Sequence, residues 1–246
     1  MSRDVRIYQL PDEIRPGELR GSIAVIIDVL RASTTIVHAL AAGARCVIPF
    51  GDVDVARKFA AELPRGTVVL GGERGGVLID GFDLGNSPES YTQEVVGGRI
   101  VAFTTTNGTR ALLRSGEADR IVIGSFVNLA AVVDVLTRET RPVRIVCAGT
   151  DGRVTSEDVL CAGSIAAEFR NRVGEIVAPD ASTAEAMGMA DLQGRTPQEV
   201  LQSLRASHGG KNLIELGYDA DIVRSARRDL FPIVPEFGHE TGRIVA

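Results

Sequence analysis

Short apolar runs rich in β-branched residues punctuate the chain, and each is followed by a polar stretch, usually with glycine. They are Ile23 to Ile27, Val47 to Phe50, Thr67 to Leu70, Ile100 to Phe103, Ile121 to Ile123 and Val143 to Ala148. Runs this short, apolar at successive positions, suit strands buried on both faces, where no polar alternation is needed. Between them the period becomes helical over Asp54 to Leu63, Ser87 to Val96, Thr109 to Ser115, Leu129 to Thr137 and Glu157 to Val173; Ile36, Val37 and Leu40 mark a further helix after the first run. Alternation of strand and helix predicts a layered α/β/α fold with a mixed, largely parallel sheet. Ser87-Pro88-Glu89 reads as a capped helix entrance, and Thr196 with Glu199 forms the Thr-x-x-Glu capping box. After about Ala178 short helical patterns replace strand signals, at Ala184 to Met189, Pro197 to Ala206, Leu213 to Leu216 and Ala220 to Arg227. A helical C-terminal portion over residues 179–230 is therefore expected, within a single domain spanning residues 1–246, because no low-complexity linker or fixed-period repeat divides the chain.

Composition narrows the chemistry. The 246 residues are 44% hydrophobic, enough to bury a large core. A net charge of −5 offers no general attraction to nucleic acid or an anionic membrane, so an anionic ligand has to be held by a local cluster of basic groups. Cys46, Cys147 and Cys161 have no zinc spacing and leave an odd thiol, while MSRDVRIYQL lacks an apolar leader region, which points to a reducing cytoplasm. No apolar stretch approaches the roughly 20 residues that span a bilayer.

The strand ends carry the candidate chemistry. Asp28 closes the Ile23 to Ile27 run and is followed by Arg31, Ser33, Thr34 and Thr35 at the start of a helix, where unpaired N–H groups favour an anion or a capping hydroxyl. Two other ends resemble it: Thr104-Thr105-Thr106-Asn107-Gly108-Thr109-Arg110, and Gly149-Thr150-Asp151-Gly152-Arg153. In open α/β sheets ligands gather beyond the carboxyl ends of strands, and the planar arginine fork meets two oxygens of a phosphate or carboxylate at once. A fourth patch, Gly71 to Gly76, adds Glu73 and Arg74. The loop carboxylates Asp28, Glu73, Asp83, Asp151, Glu157 and Asp158 form an oxygen-rich set without histidine, which suits Mg²⁺.

Alternatives are open at this level. Cys147 and Arg153 have the C-x5-R spacing of cysteine-dependent phosphatases, although Asp151 would place a negative charge in the dianion cradle and raise the thiol's pKa. Asp28 has the position of an aspartyl-phosphate nucleophile, but the second acid that haloacid-dehalogenase phosphatases carry two residues later is Leu30 here. Nucleophile, general base and metal ligand are not separated by sequence. His38 lies among apolar helix residues and reads as packed, whereas the segment Ser207 to Asn212, with His208 and Lys211, is placed to add a cation over an anion.

Taken in order, IDVLRASTTI, GGERGG with GFDLGNSPESY, TTTNGTRAL, CAGTDGRVTSEDVLCAG and SHGGKNLIELGYDADI resemble the 2-phosphosulfolactate phosphatase family of coenzyme M biosynthesis. The resemblance covers most of the chain. It implies a family-specific α/β fold and Mg²⁺-dependent hydrolysis of the phosphate ester of a small 2-hydroxycarboxylic acid, 2-phosphosulfolactate giving 3-sulfolactate and phosphate. An unsulfonated ester, or a non-catalytic binder of phosphorylated carboxylates, is the alternative. Chemistry then assigns Asp28, Arg31 and Glu73 to catalysis, and Asp28, Glu73 and Asp151 to the metal. Ser33, Thr34, Thr35, Arg74, Thr105, Thr106, Asn107, Gly108, Thr109, Arg110 and Arg153 are expected to bind substrate. A homodimer is the default expectation.

Overall fold

In the computed structural model, residues 3–177 and 180–246 are described. The expected boundary at residues 178–179 lies outside them. The strands are β1 (Val5–Tyr8), β2 (Ile23–Ile27), β3 (Cys46–Phe50), β4 (Val68–Arg74), β5 (Val77–Leu78), β6 (Ile100–Thr104), β7 (Arg120–Gly124), β8 (Val143–Cys147), β9 (Glu236–Gly238) and β10 (Arg243–Val245). The helices are α1 (Ala32–Ala41), α2 (Val53–Ala61), α3 (Gln93–Val96), α4 (Gly108–Arg114), α5 (Leu129–Arg138), α6 (Ser156–Val173), α7 (Ala181–Gln193), α8 (Pro197–Ala206), α9 (His208–Glu215) and α10 (Asp219–Ser225).

All the strands join one mixed sheet in the order β1-β8-β2-β7-β9-β10-β3-β6-β4-β5. β1, β8, β2 and β7 are mutually parallel, as are β3, β6 and β4. Three antiparallel steps, β7 to β9, β9 to β10 and β10 to β3, separate these blocks and reverse the second against the first. In a flat sheet their carboxyl ends would face opposite ways. Adjacent strands rotate by roughly 20 to 25°, so the five steps from β2 to β6 accumulate beyond 100° and the sheet curls over itself. One core records the closure, because Ala24 and Ile26 of β2 and Ile121 and Ile123 of β7 share it with Val47, Val69, Val101 and Phe103 of the second block. Ile23, Val25 and Ile27 face the other core, against α5, α6 and the C-terminal helices. All five β2 residues are thus buried, which is why no alternation shows in the sequence.

The expected strands and helices form with shifts of a few residues, and the layered α/β architecture with its mostly parallel sheet is present. The differences have local causes. β4 continues through Gly71 and Gly72 to Arg74, so Glu73 lies on a strand and the turn falls at Gly75 and Gly76. Ser87 to Val96 is divided into a 3₁₀ turn, Pro88–Ser90, and α3. The break is at Tyr91, whose ring packs edge-on against Phe103 at 6.1 Å and whose hydroxyl donates to Gly85 O at 2.7 Å. Thr196 and Glu199 form the expected box, with backbone-to-side-chain bonds of 3.2 and 2.9 Å. The helices expected within residues 179–230 form as α7 to α10, and beyond them β9 and β10 supply the hairpin that joins the two parallel blocks.

Candidate active site

The loops after β2, β6 and β8, the β4–β5 turn and α9 enclose a cavity of about 130 Å³. Asp28, Leu30 and Arg31 come from the β2 end, Glu73, Gly75 and Gly76 from the turn, and Thr105, Thr106 and Asn107 from the β6 end. Asn86, Thr150 and Asp151 add polar groups, and α9 contributes Gly209, Asn212 and Leu213.

Asp28 is 8% exposed, and among the described residues its carboxylate accepts a single, long bond of 3.3 Å, from Ala32 N to Oδ1. Burial, and after it the neighbouring Glu73, push its carboxyl up to about 7. Glu73 is held rigidly: Oε1 accepts from Thr106 N at 3.0 Å and Thr106 Oγ1 at 3.2 Å, while Oε2 accepts from Gly76 N at 2.8 Å. Neither carboxylate has an ion-pair partner among the described residues. A further acid lies behind them. Asp158 of α6 accepts from Val29 N at 2.8 Å and Gly149 N at 3.1 Å, tying the β2 and β8 ends together, and burial raises its pKa. Glu157 beside it is also raised by burial, and its Oε2 has no hydrogen-bond partner.

Among the described residues, Arg31 is the one arginine on the cavity wall. Its Nη1 lies 2.6 Å from Asp221 Oδ2, its Nη2 donates to Gly76 O at 2.6 Å, and its guanidinium carbon sits 4.6 Å from the centre of the Tyr218 ring. Of the other expected arginines, Arg74 donates to Glu73 O at 2.9 Å and Gly51 O at 3.1 Å, Arg110 pairs with Asp12, and Arg153 is solvent-exposed. None of the three lines the cavity, so the structure does not assemble a cradle of four arginines.

The three hydroxyls after Asp28 serve the frame. Ser33 Oγ accepts from Asp28 N at 2.9 Å, Thr34 Oγ1 donates to Val29 O at 2.9 Å and meets Ser125 Oγ at 2.7 Å, and Thr35 Oγ1 donates to Asn86 O at 3.0 Å. They set the angle at which strand turns into helix, and α1 starts without a side-chain cap. Thr105, Thr106, Asn107 and Asp151 do reach the cavity, and Asn107 Oδ1 accepts from Asp151 N at 3.2 Å, joining two of its loops. Thr109 bonds Thr105 at 3.3 Å. At Gly108 the chain passes so near Asp28 that a Cβ would lie 2.9 Å from its Oδ2.

The geometry brings together two unpaired carboxylates, a forked cation and hydrogen-bonding loops, a combination suited to a phosphorylated small molecule. The sequence model of the 2-phosphosulpholactate phosphatase family matches residues 8–240. The chain belongs to this family. Its similarity extends to the proteins named probable 2-phosphosulfolactate phosphatase of Caldicellulosiruptor saccharolyticus, 39% identical over 92% of this chain and 93% of that one, and of Symbiobacterium thermophilum, 41% identical over 89% and 93%. The relative from Caldanaerobacter subterraneus is 34% identical over 94% of each. Family membership carries the phosphatase class, that is, hydrolysis of a phosphate monoester.

Asn86 on the cavity wall, and Asp221 and Tyr218 against Arg31, are not singled out by the sequence. Asn86 Oδ1 is buried without a partner, and the last two stand in GYDADI, whose motif was visible although its role was not. Cys147 is fully buried in the core beneath the sheet, and burial, then Asp158, raise its thiol pKa well above the ordinary range. Replacing Cys147 with Ala is therefore expected to leave kcat unchanged and cost about 1 kcal/mol of stability for the lost packing. Phosphate-release kinetics beside urea denaturation check both. His38 is packed: its Nε2 accepts from Arg224 Nε at 3.1 Å, and burial lowers its pKa to about 4. No helix among the described residues is long and apolar enough to cross a membrane.

Proposed function

We propose that this chain hydrolyses 2-phosphosulfolactate to 3-sulfolactate and phosphate in the cavity between Asp28, Arg31 and Glu73, with Mg²⁺ as its cofactor. The observation that carries the reading is the meeting, on the walls of the same cavity, of two carboxylates that form no ion pair among the described residues and one fixed guanidinium. Magnesium commonly takes only one or two carboxylates together with water and substrate phosphate. Asp28 and Glu73 are candidates for that role, with Asp151 as a further carboxylate on the wall; burial first and the neighbouring Glu73 second disfavour the charged form of Asp28, and a bound divalent ion would offset both. Among the described residues no group of three or more His, Cys, Asp or Glu side chains is arranged to hold a metal ion, so Asp28, Glu73 and Asp151 do not stand together as a three-carboxylate site, and the proposal rests on Asp28 and Glu73. Bound there, Mg²⁺ would supply charge stabilisation at a phosphoryl oxygen.

The chain's own residues do the rest. Arg31 directs its remaining N–H groups at non-bridging phosphoryl oxygens, whose charge is spread over the equatorial positions during transfer. The Thr105 to Asn107 turn and the Asn86 amide orient the carboxylate end of the substrate, and Glu73, fixed through Thr106 and Gly76, keeps the β4 and β6 ends at a constant separation.

Phosphate release from 2-phosphosulfolactate and from its unsulfonated analogue, 2-phospholactate, tests the reading. Turnover is expected with Mg²⁺ and is expected to vanish in excess chelator and return when the metal is restored. Equal kcat/KM for the two esters would remove sulfonate recognition from the proposal, and full activity in chelator would remove the metal.

A further inference from the structure

We propose that Asp221 is a positioning residue for Arg31, so that the C-terminal segment around α10 sets the direction in which the cavity's arginine meets the phosphoester. The inference rests on the reading of this cavity as the phosphoester site. Arg31 and Asp221 are 3% and 5% exposed, and Asp221 does not itself line the cavity; its direct contact with a lining side chain is the one it makes with Arg31. An arginine side chain has many rotamers, and a fork left to find its own orientation forfeits part of its advantage over a point charge. Here the fork is clasped from three directions. Asp221 takes Nη1, the Gly76 carbonyl takes Nη2, and the Tyr218 ring covers one guanidinium face. Asp221 is held in its turn, since Ser87 Oγ donates to the same Oδ2 at 2.8 Å.

The sign of the charge separates positioning from simple attraction. Asp221 partly neutralises the one cationic side chain on a wall that already holds Asp28 and Glu73, and so weakens the general pull on an anion. Its benefit has to be geometric. Two of the guanidinium N–H groups are spent on fixed partners, which leaves the remaining ones in a single orientation toward the cavity.

Steady-state phosphate release from 2-phosphosulfolactate with Mg²⁺ is the test, with circular dichroism confirming that each variant is folded. Asp221→Asn is expected to lower kcat/KM by about 100-fold, the scale of a misplacement near 1 Å. The same change made in an Arg31→Lys background, where no fork exists to be aimed, is expected to cost less than about 3-fold. Fully additive losses would overturn the proposal, because they would mean that Asp221 acts independently of Arg31. Should Asp221→Asn fail to fold, Ser87→Ala, which keeps the ion pair but frees the carboxylate, is expected to reduce kcat/KM about 5-fold with unchanged circular dichroism; no reduction would overturn the proposal. If Arg31→Lys alone leaves kcat/KM unchanged, the reading of the cavity fails, an outcome distinct from either of these.

Discussion

Replacing Asp28 with Asn is expected to reduce kcat by about 1,000-fold while making the metal-free protein more stable at neutral and alkaline pH. Both effects follow from one placement. The carboxylate stands at the end of a strand buried on both faces, with Glu73 beside it, and the long Ala32 bond and the charge of Arg31 compensate this only in part. Its pKa is raised from 3.8 to about 7, so the native state holds the proton more tightly than the unfolded state does. With more protons bound in the native than in the unfolded state, stability falls as pH rises from about 4 to about 7, and stays reduced above that. Asparagine has no charge to desolvate and escapes this fall. At pH 8 the variant is expected to gain on the order of 2 to 4 kcal/mol, since each tenfold difference in proton affinity is worth about 1.4 kcal/mol, and at pH 4 close to nothing. Urea denaturation of chelated wild type and variant at the two pH values checks the sign. Magnesium should stabilise wild type, by about 2.7 kcal/mol at one hundred times its Kd, and leave the variant nearly unmoved. Retention of wild-type kcat in Asp28→Asn would exclude this carboxylate from the chemistry.

Gly72→Ala is expected to be the most damaging small substitution in the site. Gly72 has φ of 138°, a conformation L side chains rarely adopt, and lies opposite Thr104 in the β4–β6 register. A Cβ built there would come within 2.8 Å of the Thr104 carbonyl carbon and 2.9 Å of its nitrogen, and nearer still to the oxygen. These are backbone atoms of a central strand and cannot rotate away. Backbone strain and overpacking together should cost about 3 kcal/mol or more, read as a lower urea midpoint at unchanged slope. Glu73 is the next residue and Thr105 follows Thr104, so the folded fraction should also lose activity through displacement of Glu73 from Thr106. An unchanged midpoint would show that β4 can shift against β6 without loss.

Much of the site was legible as residue type and little of it as arrangement. Asp28, Arg31 and Glu73 stand out in the sequence as charged residues shortly after a β-branched run, and all three line the cavity. Arg74, Arg110 and Arg153 satisfied the same local rule, yet each side chain turns to another partner or to solvent, since position at a strand end says nothing of side-chain direction. The hydroxyls of Ser33 to Thr35 matched an anion-binding helix start and instead bond backbone and Ser125. Asp221 and Tyr218 could not be paired with Arg31 from spacing, because Asp221 stands 190 residues away in the chain.

By itself the sequence determined the alternation of strands and helices, the burial of β2 on both faces, the capping box at Thr196 and the family. These depend on local periodicity, on side chains within a turn of one another, and on ordered motifs read along the chain. Only the tertiary structure decided how the two parallel blocks are joined. Three-residue strands at Glu236–Gly238 and Arg243–Val245 are too short to carry a pattern, and they persist because Phe237 and Ile244 pair with strands distant in sequence. The three antiparallel steps around this hairpin join oppositely directed blocks whose strand ends line one cavity, and of the candidate arginines Arg31 lines it.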